Sequence, residues 1–406
     1  MTASPSPDAA IKAPSHTRRV DWLDGVRGAA AMFVVLHHIW LATWPKFPRN
    51  VGPWWVGWML YGHLAVAVFI VVSGFSLTLA PMSRGASLSG GARRFLRRRA
   101  WRILPPYWAA LIFSAILTWT LVQPGLGIAA ITKGFLVHGL LLQDVVGSAA
   151  PNGAFWSIAV EWQIYFAFPL ILWLARRTNF GTSVLCTVAV VLIARELTQL
   201  GSPLNKINHL TPQFLALFAM GVLAVHLGGD RRAMKLRRPL TAAGLIAVGA
   251  FVAVAVIEGS VWVVDRYFWI DLLFGAGIAC LMALMHGGGA ARARHVLASP
   301  VALRLGLFSY SIYLLHGPLV GLIDVGVLAR FHLPPLAKFG LLLVIGIPVI
   351  LVVCYGFHLM FEAPFLHRRD RGALLAIPGV GLLRGRRQLA RPASGGTEVA
   401  AAREAT

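Results

Sequence analysis

Arg27 and His38 stand at the two ends of one apolar run, LDGVRGAAAMFVVLHHIW. A guanidinium offers a rigid fork of donors suited to phosphate or carboxylate. An imidazole is the side chain whose proton moves most readily near neutral pH. At about 100° per residue, the eleven-residue separation brings both side chains onto nearly one stripe of a helix, roughly 17 Å apart along its axis. His37 is rotated about 100° away, so His38 is the histidine that shares the arginine's face. A polar stripe on a membrane helix has to face protein or water rather than lipid.

Two further runs carry groups of the same kind. In FWSIAVEWQIYF, Ser157, Glu161 and Tyr165 are spaced by four and share a face. In SYSIYLLHGP, Ser309, Tyr313 and His316 form a second stripe, and Pro318 leaves the carbonyl of Leu314 without its helical donor. A charge in mid-membrane costs roughly 2.5–3.5 kcal/mol on insertion scales. Glu161 is therefore expected to be protonated or paired. Counted from the ends of their helices, it and His38 lie at similar depth, so a Glu161–His38 contact is expected. Plainer roles stand beside these. Ser309 is more often a donor to the preceding turn, Asp24 is a natural partner for Arg27 three residues on, and Tyr107 suits packing. In the second span, SGF puts Ser73 and Gly74 where a small residue permits close helix approach.

The elements that position these groups follow from composition. The 406 residues are 57% hydrophobic and only 13% charged, against about 25% charged in soluble proteins. Many apolar runs approach the ~20 residues needed to cross a bilayer. This is an all-α, polytopic transmembrane helical bundle. Ten spans are expected, near 22–44, 62–81, from Pro105–Pro106 onward, 155–175, 182–200, 211–227, 239–257, 267–286, 307–329 and 338–361. The net charge of +22 sits in short segments between apolar runs, the pattern of the positive-inside rule and not of a nucleic-acid binder. The stretch 127–143 is too short to span. If it did span, the later arginine clusters would change sides, so it reads as interfacial or re-entrant. Both termini are then cytoplasmic, in a plasma (inner) membrane. Residues 1–20 read as a tail without a signal peptide, 21–366 as the membrane domain, and 367–406 as a disordered tail. Cys186, Cys280 and Cys354 lie singly in apolar runs, with no metal-ligand spacing. No metal site is expected. GGARRFLRRRAWR could be a surface helix on anionic headgroups or a site for a polyanion.

Five runs in order, LDGVRGAAAMFVVLHH, GHLAVAVFIVVSGFSLT, RRFLRRRAWRILPPYW, FWSIAVEWQIYFAFPL and FSYSIYLLHGPL, resemble the integral-membrane acyltransferase-3 family, which modifies surface polysaccharides, lipid-linked glycans and secondary metabolites. The resemblance covers roughly residues 20–365. It matches Arg27 and His38 to the family's pattern of an arginine, ten residues, then a histidine, implying that His38 is catalytic, and it matches Arg98, Arg102, Pro105 and Tyr107 to the family's arginine-rich segment before a Pro-Tyr. It also matches Trp156, Ser157 and Glu161 to its Trp-Ser…Glu motif, and Tyr313 and His316 to its late Tyr-x-x-His. Where many members carry a second acid beside the glutamate, this chain has Trp162.

The implied reaction moves an acyl group, acetyl by default, from acyl-CoA as co-substrate to a hydroxyl of a sugar-containing acceptor such as a glycan, lipid-linked glycan or glycosylated metabolite. Arg27, Arg98, Arg102 and Tyr107 would hold the donor. His38 would act as general base with Glu161 fixing its tautomer, and Ser157, Tyr313 and His316 would contact substrate. No tightly bound cofactor is expected, and membrane lipid is the surrounding partner. The rival reading is a proton-coupled transporter or flippase of an envelope glycolipid, with Glu161 and His38 as a relay; the internal repeats common in transporters are not visible here.

Overall fold

Glycines set how closely the central helices approach. In the computed structural model, which describes residues 20–200, 210–229 and 233–367, a Cβ on Gly74 would stand 2.0 Å from the carbonyl oxygen of Phe218, and one on Gly221 would stand 2.1 Å from that of Val71. Only hydrogen fits at either place. The second span (His63–Met82) is thereby locked against Gln213–Gly229. Small residues at a membrane-helix crossing allow this backbone contact, which dispersion and packing then stabilise.

Around that pair stand the first span (Asp21–Thr43), the third (Gly91–Val122), the fourth (Trp156–Arg177) and the fifth (Phe180–Leu197). The seventh (Lys235–Ile257), eighth (Tyr267–His286), ninth (Ser309–Phe331) and tenth (Pro335–Leu366) complete the set. Together with the second, these are nine helices long and apolar enough to cross a membrane among the described residues, and no strand occurs among those residues. Gln213–Gly229 is shorter, at 17 residues, yet it is sheathed by its neighbours and serves as the sixth. The seventh span lies at the rim: Leu245, Ile246 and Val256 are 69–77% exposed, as a lipid-facing surface requires.

Asp24 at the start of the first span and Leu366 at the end of the tenth line one cavity, so the two ends of the described bundle lie on the same side. That side carries Arg93–Arg102, Arg176, Arg177, Arg292 and Arg294 and is called the basic end. The expected arginines at 18–19, 231–232 and 368–371, and both terminal tails, lie outside the described residues.

Two expectations about local structure change. The arginine-rich segment is not a separate surface helix, and Pro105 and Pro106 do not open the third span. The helix runs unbroken from Gly91 through both prolines. Each proline removes one backbone donor without forcing the helix to stop. The stretch 127–143 is a helical hairpin, not a span. Gly125, at φ +106°, turns the chain, and Ile128–Gly139 runs back along the third span until Trp108 Nε1 donates to the Gly139 carbonyl at 3.0 Å. Return is complete by Pro151, whose carbonyl accepts from Thr118 Oγ1 at 2.6 Å. Trp108 and Val122 are about 21 Å apart at 1.5 Å per residue, so the excursion is deep and ends where it began.

Pro318 produces the orphan its position predicts, and the hairpin satisfies it. The Leu314 carbonyl accepts from Asn152 Nδ2 at 2.9 Å, while Asn152 Oδ1 accepts from the Ala154 amide. The hairpin is thus pinned to the ninth span beside His316.

Candidate active site

Two cavities lie end to end in the bundle. The first, about 450 Å³, faces the basic end and is lined by Asp24, Arg27, Ser73, Arg99, Arg102, Ser157, Glu161, Tyr165, Tyr310, Tyr313 and Glu362, among others. The second, about 400 Å³, faces the opposite end and is lined by His37, His38, His63, Trp156, Thr211, Tyr267 and Tyr313, with apolar neighbours. Val66 and Tyr313 line both. They are the partition.

The arginine cavity is built from residues that their helices bring to one level. Arg27 Nη1 donates to Asp24 Oδ1 at 2.9 Å, the expected pair. Arg102 stands close enough to repel Arg27, and Glu161 close enough to attract it. Arg99 lies over the Phe95 ring, 5.7 Å from its centroid. Guanidiniums drawn together in a partly dehydrated recess favour an anion between them. Arg98 is elsewhere. It is half-buried outside the arginine cavity, where Nη2 donates to the Ser89 carbonyl at 3.4 Å, because one residue of helix turns a side chain by about 100°. Arg99 and Arg102, three apart, share the face that matters. Tyr107 is also absent from the cavity: fully buried, it donates to the His138 carbonyl at 2.8 Å and secures the hairpin. Tyr310 contributes the aromatic wall instead.

Ser157, Glu161 and Tyr165 share a face as their spacing requires, but Glu161 does not meet His38. Its Oε1 accepts from Ser73 Oγ at 2.9 Å and from Tyr165 Oη at 2.5 Å. Counting depth from helix ends places Glu161 wrongly because the fourth span begins inside the bundle: Phe155 is fully buried and Asn152 reaches the ninth span. Ser157 Oγ and Tyr313 Oη are 2.5 Å apart, and Tyr313 also donates to the Ala154 carbonyl at 3.1 Å. Ser309 takes its plainer role, donating to the Gly306 carbonyl.

His38 has His316 as its neighbour. Their ring centroids are 4.5 Å apart, edge to face, and His37 is 5.2 Å away on the other side. Each of the three bonds a backbone carbonyl through Nδ1: His38 to Val34, His37 to Met59 and His316 to Ile312. A ring that donates from Nδ1 keeps its lone pair on Nε2. His38 and His37 direct that lone pair from the wall of the cavity, whereas His316 Nε2 is buried without a partner.

Two acids escaped the sequence reading. Glu362 lines the arginine cavity from the tenth span, accepting from Ser311 Oγ at 2.6 Å and His358 Nδ1 at 2.9 Å. Asp271, fully buried in the eighth span, accepts from His63 and Gln213. The signal was present, since an acid inside an apolar run is expensive and demands a reason. Among the described residues no group of three or more His, Cys, Asp or Glu side chains could hold a metal.

A family model described as an acyltransferase domain, of the acyltransferase-3 type, matches residues 20–359. The chain belongs to the integral-membrane acyltransferase-3 family. It is similar to the acyltransferase MdmB of Streptomyces mycarofaciens, 26% identical over 75% of this chain and 79% of that one. It is similar also to BcsY of Komagataeibacter xylinus, named as a membrane-bound transacylase, 28% identical over 91% of this chain and 90% of that one. A shorter match, 29% identical over 39% of this chain and 24% of the relative, is to YrhL of Bacillus subtilis, named as a peptidoglycan O-acetyltransferase. No solved structure matches. The protein is a multi-pass membrane acyltransferase.

Proposed function

We propose that this acyltransferase takes its acyl group, acetyl by default, from a cytoplasmic acyl-CoA in the arginine cavity and delivers it to a hydroxyl of a sugar-containing acceptor in the histidine cavity. The observation that carries this reading is the pair of abutting cavities, one lined by Arg27, Arg99 and Arg102 and the other by His38, with Val66 and Tyr313 between. Phosphate and pantetheine chemistry suits the first, since guanidinium forks match phosphate oxygens. Hydroxyl deprotonation suits the second.

In this scheme Arg27 and Arg102 hold donor phosphates, and the thioester reaches the level of Tyr313. His38 Nε2 takes the acceptor's hydroxyl proton, its tautomer fixed by the Nδ1 bond to the Val34 carbonyl. The oxygen attacks the thioester carbon, the C–S bond breaks, and the proton passes from His38 to the departing sulfur. Among the described residues no carboxylate is bonded to this imidazole, whose Nδ1 rests on the Val34 carbonyl. Glu161 instead balances charge beside Arg27 and holds Ser73 and Tyr165. The sugar acceptor follows the similarity to YrhL, named as a peptidoglycan O-acetyltransferase, and the basic end faces the cytoplasm of the inner membrane by the positive-inside rule.

The test is radiolabelled acetyl-CoA with purified protein in lipid nanodiscs. Slow thioester hydrolysis that His38→Ala abolishes supports the scheme. Ion flux without acyl loss favours a transporter and overturns it.

A further inference from the structure

His63 is held on three sides. Its ring lies between Tyr267, at 3.9 Å and 13° between planes, and Trp156, at 5.6 Å and 9°. Its Nε2 donates to Asp271 Oδ2 at 3.0 Å. Asp271 is fully buried and accepts on the same oxygen from Gln213 Nε2 at 3.2 Å. Both faces and one edge of the imidazole are therefore committed, and the ring nitrogen left for a guest is Nδ1, with its lone pair. A histidine fixed by a carboxylate in this way has a set tautomer and a set direction.

The same wall carries polar atoms without a protein partner. They are the Tyr267 hydroxyl, the Thr211 hydroxyl and Asp271 Oδ1. Tyr267, Thr211 and His63 all line the cavity that holds His38. Buried hydroxyls left unpaired are costly; these three atoms are closed to solvent, whereas His63 and His38, both half-buried, line the cavity itself. The cavity therefore offers two imidazole lone pairs, on His63 Nδ1 and His38 Nε2, and a guest that matches both brings two hydroxyls, not one.

We propose that His63, clamped by Asp271, Tyr267 and Trp156, is a specificity residue that holds a second hydroxyl of a polyhydroxylated ring while His38 takes the proton of the first. This rests on the acyltransferase reading above. Asp271 and Gln213 act through His63 and are positioning residues.

The experiment uses the full chain in lipid nanodiscs, because detergents with sugar headgroups would themselves occupy the cavity. Binding of a panel of p-nitrophenyl glycosides is measured by titration calorimetry without donor, against cyclohexanemethanol as a one-hydroxyl control. The glycoside bound most tightly is then used as acceptor with acetyl-CoA. Wild type should bind that glycoside at least tenfold more tightly than the control. His63→Gln retains an amide that can donate to Asp271 but loses the ring lone pair. It should cut glycoside binding about tenfold and leave the control, and acetyl-CoA hydrolysis, within twofold. Asp271→Asn, which disturbs the tautomer of His63 without emptying the site, should fall between the two. A merely structural role would lower both ligands and the hydrolysis together, and that result overturns the proposal. So does a panel in which no glycoside outbinds the control. Failure of the donor assignment is read separately: acetyl-CoA is then not hydrolysed by wild type, while the calorimetric arm still decides the role of His63.

Discussion

The two cavities differ in how their charge is held. In the arginine cavity, cations and carboxylates face each other directly, with Arg27 against Asp24 and Glu161 bonded to Ser73 and Tyr165. In the histidine cavity, two imidazoles rest on backbone carbonyls and one on a buried carboxylate, with His316 on a third carbonyl behind them. The first arrangement suits a ligand whose charge is permanent. The second suits a ligand that is neutral and gives up a proton only during reaction. On the proposed assignment, a single bundle keeps the charge that binds the donor and the base that takes the proton in separate cavities.

That separation can be broken by measurement. The largest effect is expected from His38→Ala, which should lower acyl transfer by about 10²–10⁴-fold, the usual worth of a positioned base. Donor affinity should stay within threefold. A parallel loss of donor affinity would merge the two cavities into one site. Next come Arg27→Ala and Arg102→Ala, each removing a charge-assisted bond worth roughly 1.5–3 kcal/mol. Steady-state kinetics should show donor KM raised by about 10–100-fold with kcat little changed. A fall in kcat alone would place the arginines in the chemical step.

A smaller effect tests the partition's support. Asn152→Ala leaves the Leu314 carbonyl unpaired and should cost about 1–3 kcal/mol in thermal or denaturant stability. Pro318→Ala restores the helical donor to that carbonyl, so in the double variant most of the Asn152 cost should vanish. Additive losses would show that Asn152 acts through another contact. The smallest effect is expected from Arg98→Ala. Its half-buried side chain lies outside the arginine cavity and donates to the Ser89 carbonyl, and donor KM should move by less than about twofold. A change like that of Arg102→Ala would return Arg98 to the site.

Membrane class, the failure of 127–143 to span and most of the helices were legible in the sequence, because apolar length and basic punctuation are strong signals; the helix that stretch forms was not. Pro105 and Pro106 suit a first turn, which is why the sequence points to a start there, yet the helix begins at Gly91 and continues through both. The Arg27–His38 stripe was legible as well, being internal to one helix. Contacts between helices were less so. Spacing put Ser157, Glu161 and Tyr165 on one face, but the partner of that face depended on where the fourth span begins, and Asn152 and Phe155 sink that beginning into the bundle. Arg98 and Arg99 differ by one step of rotation, which no motif resolves without a neighbouring helix. Glu362 and Asp271 were visible as acids in apolar runs, and their cost alone should have marked them.

The partition of Val66 and Tyr313 has a consequence beyond catalysis. Cavities facing opposite ends of a membrane bundle bring water toward its middle from both sides. Val66 and Tyr313 stand where the two approach. Ser157 and the Ala154 carbonyl, by gripping the Tyr313 hydroxyl, fix one of the two side chains that the cavities share, so the wall between them is held from the fourth span as well as the ninth.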